Sequence, residues 1–331
     1  MRCLMTASIL MISVALTDNA WADHVGFQTI TLPNREGKPL RVGIWYPTDA
    51  TPSLQPLAEF TQTVAPDAPV KGSALPLIVI SHGSGGSFSG HYDTARALAK
   101  AGFVAASITH EGDSFDDHSH KVDIWIRPAQ LRQLIDFMVS QWHDHDRIDS
   151  NRIGAFGFSA GGFTVLVAAG GVPDLTRVPD YCETHTATET CRVVASAPGG
   201  VRHFANPLPP SKWIHDPRIK AAVIAAPAIG FVFGTQGLRN VRIPVQLWRA
   251  EFDHVLPSPD YAEAVRTSLP IAPEYHVVEN ADHYDFLPPC SPKLAKIVPD
   301  ICQEGAGFDR AAFHTQFNAR IVAFFERTLT P

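Results

Sequence analysis

One serine of the chain stands in a setting that can activate it as a nucleophile. The segment Gly157-Phe158-Ser159-Ala160-Gly161 has the pattern G-x-S-x-G. The apolar run 153–158 is typical of a buried strand, and the apolar run 162–169 is compatible with a helix. A strand, this pattern and a helix predict a sharp turn that lifts the serine hydroxyl above the sheet. Side chains at the glycine positions would clash with such a turn. The alternative interpretation is a turn of small residues that only lets the strand and the helix pack closely.

A serine hydroxyl is a weak nucleophile, so it needs a histidine base and a carboxylate that orients the histidine. When the serine follows a strand in this way, the acid and then the histidine come later in the chain, in loops after further strands. Asp253 follows the predicted strand 243–250 and is the candidate acid. Glu251 is the competing acid, and capping of the following segment is the alternative role for Asp253.

The candidate base is His283, which follows the last predicted strand, 275–278. Of the fifteen histidines, it is the one that directly follows this strand and also comes after the candidate acid in the chain. His254, beside the acid, and His276, inside a strand, are the alternatives. The sequence therefore predicts a Ser–His–Asp triad.

The oxyanion of a tetrahedral intermediate needs two preorganised N–H donors. We expect one from Ala160, at the start of the helix after the serine. We expect the other from Ser84, in the loop His82-Gly83-Ser84-Gly85-Gly86 that follows the apolar strand 75–81. The alternative for this loop is an anion-binding glycine turn, but it lacks the Lys-Ser/Thr ending of a P-loop.

Predicted strands and helices alternate along the chain. The strands are expected at 75–81, 103–108, 153–158, 219–226, 243–250 and 275–278, and the helices at 91–100, from Pro128, after Ser159, at 260–269 and around 313–324. This order predicts a mostly parallel, doubly wound sheet. Ahead of it, 27–32 and 40–46 predict an antiparallel hairpin at an edge of the sheet, and 47–74 predict a surface loop.

Residues 171–218 interrupt the alternation, with many prolines, two cysteines and little periodicity. They are predicted to form a lid-like excursion, a small insertion near the active site that can cover the pocket. No second domain is indicated. We expect a single domain over residues 23–331.

Residues 1–22 are predicted to be a signal peptide. Arg2 supplies a positive start, residues 4–16 are almost entirely apolar, and Ala20-Trp21-Ala22 predicts cleavage after Ala22. A membrane anchor is the alternative, but it needs roughly 20 apolar residues. The mature protein is therefore expected outside the cytoplasm, periplasmic or extracellular, without a membrane anchor. The net charge of −6 over 331 residues argues against nucleic-acid binding.

Export gives the cysteines a role, because disulfides persist in oxidising compartments. Without Cys3, four remain, and four cysteines allow three pairings. The simplest pairing is Cys182–Cys191 with Cys290–Cys302. Buried free thiols are the alternative. No Cys-x-x-Cys spacing points to a metal.

Three further groups of residues have two interpretations each. The segment His143-Asp144-His145-Asp146 is either a metal pair or, as its polar surroundings favour, a solvated loop. Residues 113–120, with three aspartates and two histidines, are either substrate contacts or a polar rim. Four aromatic residues are candidates for an acyl pocket, with packing in the core or the excursion as the alternative: Trp125, Trp213, Phe231 and Phe233.

Several short motifs carry a resemblance to a known family. They are Ser81-His82-Gly83, His110-Glu111-Gly112-Asp113, Arg127-Pro128-Ala129, residues 157–162, Ala226-Pro227-Ala228, Asp253, Ala281-Asp282-His283, Pro289-Cys290 and Phe308-Asp309-Arg310. The chain resembles the exported bacterial serine hydrolases called predicted dienelactone hydrolases, which are similar to platelet-activating-factor acetylhydrolases. The resemblance implies an α/β-hydrolase fold and carboxylic-ester hydrolysis by Ser159, Asp253 and His283.

The sequence as a whole predicts an exported serine esterase that acts on small-molecule esters with short acyl chains. It is expected to need no metal and no organic cofactor. A polyester or lipid esterase of the same fold is the alternative. A serine peptidase is disfavoured because such enzymes usually add a propeller or cap domain. A non-catalytic binding protein is disfavoured because all the candidate catalytic residues are present.

Overall fold

A computed structural model describes residues 24–34, 37–305 and 307–330 of the chain. The predicted signal peptide, its cleavage site after Ala22 and Cys3 lie outside the described residues. No helix within the described ranges is both long and apolar enough to span a membrane.

Ten strands form one mixed sheet in the order β10-β9-β8-β7-β5-β6-β2-β1-β4-β3. Their bounds are β1 His24–Leu32, β2 Leu40–Thr48, β3 Ser53–Leu57, β4 Phe60–Pro66, β5 Leu75–Ser81, β6 Val104–Ile108, β7 Ile148–Phe158, β8 Ile219–Ala225, β9 Val245–Ala250 and β10 Glu274–Val278. The strands from β5 to β10 are parallel to one another, whereas β2 pairs antiparallel with both β6 and β1. The predicted mostly parallel sheet with an antiparallel N-terminal hairpin is confirmed.

The α-helices are α1 Tyr92–Lys100, α2 Arg127–Ser140, α3 Ala160–Ala168, α4 Arg177–Thr184, α5 Glu189–Ser196, α6 Gly234–Leu238, α7 Ala262–Ser268, α8 Leu294–Ile297, α9 Pro299–Cys302 and α10 Arg310–Thr328. They cover both faces of the sheet. Strand β5 shows why, since its buried apolar side chains alternate between two cores. Leu77 and Val79 belong to the core that includes residues of α2 and α3. Ile78 and Ile80 belong to the core that includes residues of α1 and α10.

The prediction of a surface loop at 47–74 was wrong, because the segment contains β3 and β4. Strand β4 pairs in parallel with β1, so the hairpin is inside the sheet and β3 forms its edge. Gln62 and Val64 of β4 are buried, and Trp45 Nε1 donates to Gln62 Oε1 at 2.8 Å. The prolines that suggested a loop are tolerated because outer strands have unpaired backbone positions.

The excursion 171–218 contains more regular structure than its sequence indicated. It holds the eight-residue helices α4 and α5, followed by short 3₁₀ helices at Gly200–Phe204 and Pro210–Lys212. The Cys182–Cys191 disulfide joins α4 to α5, and a second disulfide joins Cys290 to Cys302. Both disulfides therefore have the predicted pairing.

His91 makes the stability of the fold dependent on pH. Its buried ring packs edge-on against Phe156 and Phe158, and neither ring nitrogen has a hydrogen-bond partner among the described residues. Burial lowers the pKa of His91 to about 4, although Asp93 opposes the shift and His314 adds to it. The unfolded chain binds the proton near pH 6.5. Above pH 6.5 the ring is neutral in both states, and the folded protein has its full stability. As the pH falls from 6.5 toward 4, the unfolded chain binds the proton more tightly than the folded protein, so the free energy of unfolding falls.

We predict that His91→Phe weakens this dependence on pH. Between pH 7 and pH 5 the free energy of unfolding of the wild type should fall by about 2 kcal/mol more than that of the variant. Urea unfolding at the two pH values measures this difference. An equal fall in the free energy of unfolding of the two proteins between pH 7 and pH 5 would contradict a buried, neutral His91.

Candidate active site

Ser159 lies on the turn between β7 and α3, with φ 55° and ψ −117°. A serine with positive φ is strained, and such strain concentrates at functional sites. The flanking glycines are required by close backbone approach. A Cβ at Gly157 would lie 2.1 Å from the carbonyl oxygen of Gly161, and one at Gly161 would lie 1.9 Å from that of Ser81. The G-x-S-x-G pattern thus packs the start of α3 against the end of β5.

The structure brings Ser159, His283 and Asp253 into one hydrogen-bonded chain. His283 Nε2 lies 3.1 Å from Ser159 Oγ, and His283 Nδ1 lies 2.8 Å from Asp253 Oδ2. A carboxylate only accepts hydrogen bonds, so the proton is on Nδ1 and Nε2 is free to accept from the serine. His283 and Asp253 are buried, whereas Ser159 is half-buried and faces a cavity.

The alternative residues lie elsewhere. Glu251 accepts from the Asn280 N–H at 2.9 Å. His276 is 2.9 Å from Glu274 and stacks on Trp248. The capping role considered for Asp253 is real, because its Oδ1 accepts from the N–H groups of Val255 and Leu256 at 3.1 and 2.6 Å. One carboxylate therefore closes its own turn and holds the histidine.

Asp282 joins the loop of Asp253 to the loop of His283. Its Oδ1 accepts from the N–H groups of His254 and His283 at 3.0 and 2.6 Å, and its Oδ2 contacts His254 Nδ1. Burial opposes ionisation of Asp282, but these donors hold its pKa below the ordinary value. No role for Asp282 was predicted from the sequence beyond its place in a motif. Its position beside His283 is the only sequence signal.

The two predicted oxyanion donors line the same cavity as Ser159. Ala160 is the first residue of α3, so its N–H has no partner within the helix. The carbonyl oxygen of Gly83 accepts from His82 Nδ1 at 2.6 Å and from the Gly86 N–H at 3.1 Å. In a trans peptide the N–H points opposite to the carbonyl, so these bonds direct the Ser84 N–H away from His82. No acceptor for that N–H is found in the described part of the chain.

Two buried histidines fix the start of this loop. His82 Nε2 accepts from the His110 N–H at 3.0 Å, which leaves the proton of the His82 ring on Nδ1. His110 in turn contacts Ser81 Oγ at 2.8 Å and Gln130 Oε1 at 2.9 Å. Burial, assisted by the positive charge of Arg127, lowers the pKa of both histidines well below the ordinary value. Both rings are therefore neutral at pH 7.

The cavity at Ser159 has a volume of about 250 Å³ and mostly apolar walls. The excursion supplies Val178, Val193, Val194 and Phe204 to these walls, together with the more polar Glu189 and Thr190. The four aromatic residues proposed for an acyl pocket are not among the lining residues, so that interpretation was wrong. They pack against other side chains. Trp125 packs on His203, Phe231 on Tyr181 and Phe233 on Phe163, and Trp213 lies in the core that includes residues of α2 and α3.

The two polar segments have structural contacts of their own. In the segment 113–120, Asp113 is buried against Arg127 at 2.7 Å, whereas Asp116 and Asp117 form surface ion pairs with Arg41 and Lys38. In the segment 143–146, His145 Nδ1 donates to the Trp142 carbonyl at 2.8 Å. Across the described ranges, no three His, Cys, Asp or Glu side chains are grouped as metal ligands.

A comparison with solved structures matches this fold to a known one. A ferulic acid esterase from Streptomyces cinnamoneus superposes with a TM-score of 0.63 at 19% sequence identity, over 96% of this chain and 92% of that one. The fold is that of the α/β hydrolases. At this identity the likeness establishes the fold alone. No family model matches the sequence, and no curated protein matches it. The resemblance to dienelactone hydrolases and platelet-activating-factor acetylhydrolases stays a prediction.

The α/β-hydrolase turn at Ser159 predicts the effect of a single methyl group. In Gly161→Ala the new Cβ must move the Ser81 carbonyl or the start of α3, and forced overpacking costs about 1–3 kcal/mol or more. We expect a lower thermal unfolding midpoint than in the wild type. Gly90→Ala is the control, since nothing lies within 4 Å of its Cβ position. Equal midpoints for the two variants would contradict the close approach.

Proposed function

We propose that the protein is a serine carboxylic-ester hydrolase with Ser159, His283 and Asp253 as its catalytic triad. The observation that carries the proposal is the hydrogen-bonded chain from Ser159 Oγ through His283 to Asp253, on a turn that places the serine in a strained conformation beside a cavity. These are the features of nucleophilic catalysis of acyl transfer.

The proposed reaction runs in two halves. Ser159 Oγ attacks the ester carbonyl carbon while His283 Nε2 takes its proton, and Asp253 stabilises the resulting imidazolium. The N–H groups of Ser84 and Ala160 hold the oxyanion. His283 then protonates the leaving alcohol, which departs as the acyl-enzyme forms. In the second half His283 takes a proton from water while the hydroxide attacks the acyl carbon. His283 then returns the proton to Ser159 Oγ as the acyl C–O bond breaks, which releases the carboxylic acid and restores Ser159. No metal or organic cofactor takes part in this scheme.

The cavity supports esters with compact, apolar acyl groups. A volume of about 250 Å³ is small beside the roughly 300–1,000 Å³ of most ligand pockets. Short-chain acyl esters are the first candidate substrates. Aromatic acyl esters are the second, favoured by the apolar walls and by the structural neighbour, a ferulic acid esterase.

We also propose that the mature protein acts outside the cytoplasm as a single domain over residues 23–331. The support is the signal-peptide pattern of residues 1–22 together with the two disulfides, which are typical of oxidising compartments.

The experiment that tests this function is the hydrolysis of p-nitrophenyl acetate, butyrate, octanoate and palmitate, and of methyl ferulate, by the mature protein. We expect turnover to peak at acetate or butyrate, and to fall in Ser159→Ala by a factor of roughly 10⁴ or more. The control is Ser140→Ala, an exposed serine at the end of α2. A peak at palmitate would replace the proposal with a lipase-like activity, and a peak at methyl ferulate would favour the second candidate. Equal rates in Ser159→Ala and the wild type would contradict the triad.

A further inference from the structure

A buried ion pair lies behind the loop that carries the second oxyanion donor. Arg127 begins α2, and Asp113 lies in the segment after β6. Arg127 Nη1 donates to Asp113 Oδ2 at 2.7 Å, and the exposed fractions of the two side chains are 1% and 2%. Burying two charges is costly and needs close geometry and further hydrogen bonds.

Both partners bind the loop 82–86. The second Nη of Arg127 donates to the carbonyl oxygen of His82. The second oxygen of Asp113 accepts from Ser84 Oγ at 2.7 Å and from the Gly85 N–H at 3.0 Å. The pair thus holds the backbone on both sides of the Gly83–Ser84 peptide. The planar fork of arginine suits this task, because it presents two donors in fixed directions.

We propose that Arg127 and Asp113 are positioning residues for the oxyanion hole, which hold the Gly83–Ser84 peptide so that the Ser84 N–H faces the reacting carbonyl. This inference rests on the proposed function and adds two residues to it. Neither side chain touches the substrate in this proposal. Their effect is on the transition state, since a displaced N–H donor loses its bond to the oxyanion and leaves ground-state binding intact.

The main test compares Asp113→Asn with the matched control Asp216→Asn. Asp216 is also buried against an arginine, Arg218, but it precedes β8, at the opposite end of the parallel strands from Ser159. The measurements are kcat and KM for p-nitrophenyl butyrate and the inhibition constant of phenylboronic acid, which forms a tetrahedral adduct with a catalytic serine. Thermal unfolding midpoints show how much each substitution destabilises the fold.

We expect Asp113→Asn to lower kcat by about 10- to 100-fold and to leave KM within about twofold of the wild type. The inhibition constant of phenylboronic acid should rise by a factor similar to the fall in kcat. Asp216→Asn should lower the unfolding midpoint and leave kcat and the inhibition constant unchanged. If Asp113→Asn changes kcat and inhibition no more than Asp216→Asn does, the pair is only structural and the proposal is overturned.

A second variant keeps the test decisive if Asp113→Asn does not fold. Ser84→Ala removes one hydrogen bond to Asp113 from an exposed residue and keeps the backbone N–H. We expect roughly 3- to 10-fold lower kcat, the effect of one hydrogen bond, with recovery in Ser84→Thr. Unchanged kcat in Ser84→Ala would overturn the proposal. A wild type that hydrolyses no ester would instead contradict the proposed function, before any variant is compared.

Discussion

The close packing of α3 against the end of β5 is the constraint on which the site depends. Only a glycine at position 161 allows the start of α3 to reach the backbone of Ser81. This approach brings Ser159 and the Ala160 N–H beside the loop 82–86, which leaves the same end of β5. Ser159 and the candidate oxyanion donors thus follow neighbouring parallel strands, and the later strands need only bring Asp253 and His283 to the same edge of the sheet.

Carboxylates that accept backbone N–H groups hold the rest of the site. Asp253 closes its own turn, and Asp282 joins the loop of Asp253 to the loop of His283. A second buried ion pair stands on the histidine side. Arg310 Nε donates to Asp285 Oδ1 at 3.0 Å, while Asp285 Oδ2 accepts from the Asp282 N–H at 2.8 Å. Arg127 and Arg310 are therefore each paired with an aspartate whose other oxygen binds the backbone of a site loop. Asp113 binds the loop 82–86, and Asp285 binds the loop of His283.

The sequence predicted the parts of this structure that depend on local pattern and chain order. Apolar runs located the central strands, and order along the chain selected Asp253 and His283 from many acids and histidines. Contacts between distant segments were not predictable in this way. Strand β4 was missed because burial of Gln62 depends on Trp45, and the aromatic residues were misplaced because lining a cavity depends on tertiary packing. From the sequence, Arg127 belongs only to a motif, and Asp113 belongs to a motif and to the polar segment 113–120. Nothing local to either residue shows that they pair.

The central claim is that Ser159 is the nucleophile, activated by His283. The most direct measurement is the site of covalent modification by a fluorophosphonate, located by peptide mass spectrometry in the wild type and in His283→Ala. Our account predicts a single adduct on Ser159 in the wild type and a much slower reaction in the variant, because the base that takes the serine proton is gone. An adduct on another residue, or equal labelling rates in the two proteins, would contradict it.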